Sequence, residues 1–437
     1  MWEEVLGVEN IELDKSFFEL GGDSLTAIAV MFKMERKGLP REVVRGLLQG
    51  LSIREIAKRI EYPSRMKKQT HTINDAYTAM GVNINIVRGL LMLFVVGAHW
   101  LPGVLNRLPS SFRGLQAILE PLFSLGTPGF AIVYGVTAGY SMFGIYKSDR
   151  ERCLKYVFST ARILLAGILL RGAFRIGRNL TLGQVENFTD VIGSLYSPLV
   201  YFFLITITLP FWFRSVANTK FPIARLIFGG VISYGIYSFF LEPLRSQPTY
   251  GLIELAKLSI AGKYAYFNLC AGSLAGMALG LEIRNNVDRK LVGIPNGYVL
   301  VSLSSMVAGL VIADRAGMGL SAWVESRNSI TLWDWLFYGG LVVLILSVVQ
   351  QTLHRHYNRI NSLVKLGLQY LASVGILAFP IFVIHELLVP AKVILEGFGF
   401  PSTLALALAL GTVLTIVGFL LKKVHQTSFT WQTDPKV

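Results

Sequence analysis

From Ile84 onward the chain is a succession of apolar runs separated by short polar stretches. A spanning helix needs about 20 predominantly apolar residues. Ten runs approach that length, near residues 84–101, 116–146, 154–174, 190–213, 222–241, 264–282, 297–313, 333–350, 369–389 and 403–421. They predict a polytopic helical membrane domain of about ten spans over residues 84–425, with a break in the second run at Gly126 and Pro128. The first 61 residues read differently. There the apolar positions fall in short amphipathic stretches such as "LSIREIAKRI", Leu51 to Ile60. In "FELGGDSLTAIAVMF", Gly21 and Gly22 break the preceding loop, Asp23 takes an N-cap position, and Leu25, Ile28, Ala29 and Phe32 form one helical face. The predicted fold class is all-α: a small helical domain (1–61), a polar linker without sustained periodicity (62–83), and the membrane domain. Such a linker of 22 residues reaches roughly 70 Å when extended, or about 25 Å as a random coil.

Composition strengthens this picture. Of 437 residues, 53% are hydrophobic and only 16% charged, and the mean hydropathy is +0.52. The net charge of +14 is unevenly placed: residues 1–61 carry 9 Lys+Arg against 11 Asp+Glu, so the whole basic excess belongs to the membrane part. Those cations are scattered between apolar runs with no basic arm or recognised binding motif, which argues against a nucleic-acid partner. Placing the N-terminus inside gives 17 Lys/Arg to one set of loops and 11 to the other. The positive-inside rule then predicts an integral protein of the cell (cytoplasmic) membrane with the N-terminal domain and both termini cytosolic. No signal peptide is expected ahead of the first domain. Cys153 and Cys270 make neither a disulfide framework nor a metal site, and no His pair at i, i+4 occurs in the membrane part, so no metal is expected. Fixed-period repeats, a P-loop, a dinucleotide fingerprint and a nucleophile elbow are all missing.

Ser24 stands at a predicted helix N-terminus, where unpaired N–H groups and the helix dipole suit a phosphate. In the first membrane run, "INIVRGLLMLFVVGAHWLPG", Arg88 and His99 lie among apolar neighbours. Eleven residues at 100° each bring His99 within about 20° of Arg88's face, about 16 Å farther along the axis. A guanidinium in a spanning helix is costly unless something repays it. Of six histidines only His99 and His385 fall in apolar runs. His385, with Glu386 beside it, suits a structural hydrogen bond near a helix end as well as a catalytic role.

Two resemblances follow. "WEEVLGVENIELDKSFFELGGDSLTAI" resembles the carrier domains that hold acyl or aminoacyl groups as thioesters, and its GGDS form is more similar to peptidyl than to fatty-acid carriers. The resemblance implies 4'-phosphopantetheine attached covalently to Ser24, a phosphopantetheinyl transferase to install it, and an adenylation domain in cis upstream or in trans. Carrier domains usually have more of the first helix before "WEEVLG", so either the chain is a piece of a longer protein or that helix is short. "R-GLLMLFVVGA-H" resembles the signature of the acyltransferase-3 family of integral membrane O-acyltransferases, in which the histidine is the catalytic base and the arginine belongs to the acyl-donor site. "GTPGFAIVYGV" is similar to that family's second motif at Gly126, Pro128, Phe130 and Gly135, with Tyr134 and Val136 in place of its serine and phenylalanine. "GILAFPIFVIHELL" is similar to its late helix, with His385 matching. Its Arg-x-x-Arg pair aligns by position with "FSTARILL", which keeps Arg162 as a donor-site residue but puts Ser159 at the first arginine. A literal Arg-x-x-Arg stands later at Arg175 and Arg178.

Together these imply a membrane acyltransferase. It would move an acyl or aminoacyl group from its own carrier thioester to a hydroxyl or amine on a small-molecule, glycan or lipid acceptor, with the phosphate end of the donor on Arg88 and Arg162. Two alternatives stay open: soluble acyl-CoA as donor with the carrier serving another partner, or a transporter of a carrier-made product. Transporters commonly show inverted repeats and intramembrane acidic groups, and the sequence displays neither.

Overall fold

The computed structural model describes residues 2–6, 11–17, 19–20, 30, 34, 39, 47, 51–61, 71–105, 125–181, 183–185, 187–288, 294–317, 330–356, 361–397 and 401–428. The chain divides into two compact units, Met1–Asp75 and Ala76–Val437.

In the first unit α1 (Trp2–Leu6) and α2 (Ile53–Glu61) are described. Its core gathers Trp2, Phe17, Val30, Met34, Leu47 and Ile56, all nearly inaccessible to solvent. Two Ser-x-x-Glu boxes organise the backbone. Ser52 N–H donates to Glu55 at 2.9 Å and Glu55 N–H returns to Ser52 Oγ at 3.3 Å, capping α2. Ser16 and Glu19 repeat the exchange at 2.6 and 3.3 Å. Arg54 grips Asp14 on the surface and holds its carboxyl below the usual range. Gly21, Gly22, Asp23 and Ser24 lie outside the described residues.

The elements described from His71 onward are helices. α3 (His71–Leu105) begins inside the stretch read as linker, so residues 71–83 are helical and shorten its reach. A helix rises only 1.5 Å per residue, less than half of an extended chain. There follow α4 (Gly126–Thr137), a π-helical turn (Ala138–Met142), α5 (Phe143–Ser148), α6 (Arg150–Thr181), α7 (Phe188–Leu195), α8 (Pro198–Ala217) and α9 (Pro222–Ile236). The remainder are α10 (Leu252–Ala261), α11 (Tyr266–Asp288), α12 (Asn296–Arg315), α13 (Leu332–His356), α14 (Ser362–Ile376), α15 (Ala378–Gly397) and α16 (Ser402–Ser428).

Among the described residues seven helices are long and apolar enough to cross a membrane, or eight if the bent pair Ser362–Ile376 and Ala378–Glu386 is one span. The count covers the described residues alone, and part of the second expected run, 116–124, lies outside them. Within the described residues the second run continues from α4 through the π turn into α5, the ninth bends by 72°, and the last contains the shorter apolar helix Ser402–Gly418. Large apolar side chains such as Phe158, Phe211, Phe228, Phe239 and Leu300 point outward and stay exposed, as a lipid-facing surface requires.

Small residues set the interior packing. A Cβ on Gly135 would fall 1.9 Å from the Ser273 carbonyl oxygen, and one on Gly276 2.0 Å from that of Ile132. Gly139 and Gly280 repeat the pattern one turn on, so α4 and α11 touch backbone to backbone. Ser273 Oγ donates across this seam to Ala131 O at 2.7 Å. At the π turn Arg284 donates to Tyr140 O at 2.9 Å, as expected where a π turn disturbs the helical ladder. A second close approach joins α3 to α14, where Gly89 faces Leu371 O and Gly375 faces Asn85 O at under 2 Å from the missing Cβ atoms.

Candidate functional site

Helix α3 meets both arms of the bent pair. Near Arg88 it is locked against α14 by the glycine contacts, and three turns on His99 meets α15 through His385. The site is built on rigid elements from distant parts of the sequence.

His99 Nδ1 lies 2.9 Å from His385 Nε2. The ring centres are 5.1 Å apart with planes within 16°. Two ring radii plus the nitrogen gap account for nearly all of that separation, so the rings meet edge to edge in almost one plane. His385 is fully buried, and its Nδ1 lies 3.1 Å from Ile381 O. A carbonyl only accepts, so His385 Nδ1 carries the hydrogen and a neutral ring leaves Nε2 as acceptor. His99 Nδ1 then donates, and His99 Nε2 keeps its lone pair. With 41% of the His99 side chain still open, that nitrogen is reachable.

Glu386, next along α15, places Oε1 3.8 Å from His99 Nδ1. Its Oε2 accepts from Arg171 Nε at 2.9 Å, and Arg171 also donates to Tyr196 O at 3.2 Å. Burying such a pair is costly unless it is hydrogen-bonded, and here it is. The sequence reading named Glu386 beside His385 without counting it as an intramembrane acid, and the fold pairs it with Arg171. The only signals were Glu386 beside a histidine and Arg171 within an apolar stretch; 215 residues separate them.

A cavity of about 650 Å³ opens in front of His99, within the range of small-molecule sites. Arg88 and His99 line it together with Tyr134, Tyr156, Phe202, Lys263, Tyr264, Phe379, Phe382 and Glu386. Arg88 is half-buried, bonds to Asn85 Oδ1 at 3.3 Å, and meets no carboxylate among the described residues. The structure thus brings Arg88, His99 and His385 to one site. Arg162 is not brought there: it is exposed on α6, while its neighbours Thr160, Ile163 and Leu164 line the cavity. Arg175 and Arg178 follow Arg171 on α6, half-buried. The ligating atoms of His99, His385 and Glu386 all lie within 4.8 Å of one another, close enough to hold a cation.

Comparison with known proteins speaks to the first unit. The family described as "Phosphopantetheine attachment site" matches residues 1–60. A plipastatin synthase of Bacillus subtilis (strain 168) is 49% identical over 43 residues, 10% of this chain and 2% of that protein. Bacitracin synthase 3 of Bacillus licheniformis is 41% identical over 61 residues, 14% of this chain and 1% of that protein. Nonribosomal peptide synthetase 8 of Aspergillus fumigatus is 44% identical over 61 residues, again 14% and 1%. The chain therefore spans only 1–2% of the length of these curated relatives. No solved structure matches. The match implies 4'-phosphopantetheine as the prosthetic group of the first unit. This chain carries an N-terminal phosphopantetheine carrier domain, similar to those of nonribosomal peptide synthetases, ahead of a polytopic helical membrane region.

Proposed function

We propose that the protein is a membrane acyltransferase that moves an acyl or aminoacyl group from the carrier on its own N-terminal unit to a hydroxyl or amine acceptor. The observation that carries the reading is His99, its Nδ1 held by His385 Nε2 and its Nε2 left open, lining one cavity with Arg88. A phosphopantetheine arm on Ser24 would supply the acyl group as a thioester, an activated carbonyl with a thiol leaving group. His99 Nε2 takes the proton of the attacking hydroxyl or amine and returns it to the departing sulfur. Positive charge on the ring is balanced by Glu386, which Arg171 keeps in place. Arg88, about 16 Å along α3 from His99, would hold the phosphate end of the donor. Apolar and aromatic walls keep water from competing for the thioester.

The trio of His99, His385 and Glu386 serves this chemistry as a proton relay. An edge-to-edge nitrogen pair directs both lone pairs at one shared hydrogen, whereas a shared cation would sit off the nitrogen–nitrogen line; Arg171 already satisfies one Glu386 oxygen. With the carrier and both termini cytosolic, tethering replaces encounter from bulk with an effective concentration in the millimolar range.

Single turnover tests the function. Holo-protein radiolabelled on its arm is mixed with candidate acceptors, and label should leave the protein and appear on one of them. Label that stays on Ser24 with every hydroxyl and amine acceptor offered sinks the reading.

A further inference from the structure

The cavity that His99 lines reaches one flank of α6. Leu164 in its wall belongs to the buried face of that helix, together with Val157, Ala161 and Ile168. At 100° per residue, Tyr156 and Ile163 lie about 80° and about 100° round from Leu164, on the flank between the buried and outward faces. Both line the cavity, and both are 53% exposed. Farther along the same flank Leu170 and Phe174 are exposed as well, yet take no part in the cavity wall. That flank therefore faces outward along its length, and the exposure of Tyr156 and Ile163 is not owed to the cavity alone.

The opening has a second edge on the bent pair. Phe379, at the start of α15, closes on Gly167 of α6, with a ring carbon 3.1 Å from where a Cβ would stand. One turn back from that contact on each side stand Ile163 and Ile376, the last residue of α14 before the 72° bend. Ile376 lines the cavity and is 44% exposed. The bend carries α14 off the line of α15, so the walls that meet at Gly167 and Phe379 part at Ile163 and Ile376.

Depth ties this opening to His99. The imidazole is next to last in the span Met80–Trp100, hence at the end of the apolar stretch. Ile163 is eight residues before Arg171, whose partner Glu386 reaches His99; that is about 12 Å back along α6. Ile376 follows Gly375, which packs on Asn85 of α3, about 21 Å along that helix from His99. A hydrocarbon core of about 30 Å has its middle about 15 Å from either interface. The cavity thus has its imidazole at an interface and its side opening at mid-bilayer depth. A lipid is polar and apolar at those same two levels.

Resting on the acyl-transfer reading, we propose that the acceptor is a membrane lipid of the leaflet in which His99 lies. Its headgroup hydroxyl or amine meets His99 Nε2, and its chains leave sideways past Ile163 and Ile376 into the bilayer. Leu164, Leu199, Phe202 and Phe379 give the chains an apolar wall. The headgroup oxygen or nitrogen bonds to the acyl carbon, the carbon–sulfur bond breaks, and the proton passes through His99 to sulfur.

The test uses the full holo-protein, radiolabelled on its arm, in nanodiscs of phosphatidylglycerol (a hydroxyl headgroup), phosphatidylethanolamine (an amine headgroup) or phosphatidylcholine (neither). Glycerol and ethanolamine are added to the phosphatidylcholine discs as water-soluble counterparts. Label should move into the solvent-extracted lipid of the first or second disc and into nothing in the third. Binding is read apart from transfer, with phosphatidylglycerol and phosphatidylethanolamine probes carrying a diazirine in one chain and cross-links mapped by mass spectrometry. Capture at the interior residues Phe202 and Phe379 should fall at least tenfold in the Ile163→Trp, Ile376→Trp double variant. Leu170→Trp, on the same flank beyond the cavity, should capture as wild type does. No capture at Phe202 or Phe379, or equal capture by wild type and double variant, overturns the proposal. Label that reaches glycerol or ethanolamine but neither lipid also overturns it, while the acyl-transfer reading survives. Capture with label passing to no acceptor of either kind removes both, and leaves a lipid-binding cavity without transfer.

Discussion

The chemistry rests on the protonation pattern of one ring. His385 Nδ1 is committed to Ile381 O, which makes its Nε2 the acceptor for His99 and frees the far nitrogen of His99. His99→Ala should leave an inserted, folded protein and cut transfer at least ~100-fold, the low end of general-base contributions. Near-normal transfer by that variant would make His99 a structural histidine. His385→Phe keeps a ring in the buried slot but removes the acceptor, and should cost at least ~10-fold because the wrong His99 tautomer becomes populated. His385→Gln still offers an oxygen acceptor and should retain more activity than His385→Phe; the reverse order in single-turnover rates contradicts the relay. Dialysis against a chelator should leave transfer unchanged. Loss of activity that zinc restores would show that the trio holds a cation.

Glycines decide how the helices assemble. Gly135 and Gly276 let α4 and α11 touch at their backbones, and this seam supports Phe130 and Tyr134 in the cavity wall. Gly135→Leu drives carbon into the Ser273 carbonyl, backbone that cannot swing aside. Its cost should reach about 3 kcal/mol or more, the upper end of overpacking, seen as a lowered melting temperature in detergent. Gly411→Leu on α16 is the control, because nothing lies within 4 Å of its missing Cβ. An equal loss for both variants would mean that helix propensity and not interhelical contact sets the penalty. The resemblance that singled out Gly135 thus meets a packing reason that accounts for this glycine without any direct part in catalysis.

For the whole molecule, orientation and tethering are the testable quantities. Cysteine labelling from either side should find both termini cytosolic; a carrier unit on the outside would remove the proposed donor route. Ser24→Ala should abolish transfer from the loaded chain and leave the membrane unit folded, since the exchange costs at most a helix cap of about 0.5–2 kcal/mol in the small N-terminal unit. Full activity of that variant with soluble acyl-CoA would instead favour a carrier that serves another partner.

Much of this was legible along the chain because it depends on local pattern. Apolar run length announces helices that can sit in lipid, the GGDS run announces a carrier, and the 11-residue spacing puts Arg88 and His99 on one face of any α-helix. Run length does not announce the π turn or the 72° bend, because packing sets them and hydropathy does not encode them. The same limit applied to Arg162, which sequence position put at the donor site but which α6 turns away from the cavity. Pairing of His99 with His385, and of Glu386 with Arg171, appeared only in the fold. Helices hundreds of residues apart come into register through glycine contacts, and no periodicity within one helix specifies which face of another it will meet.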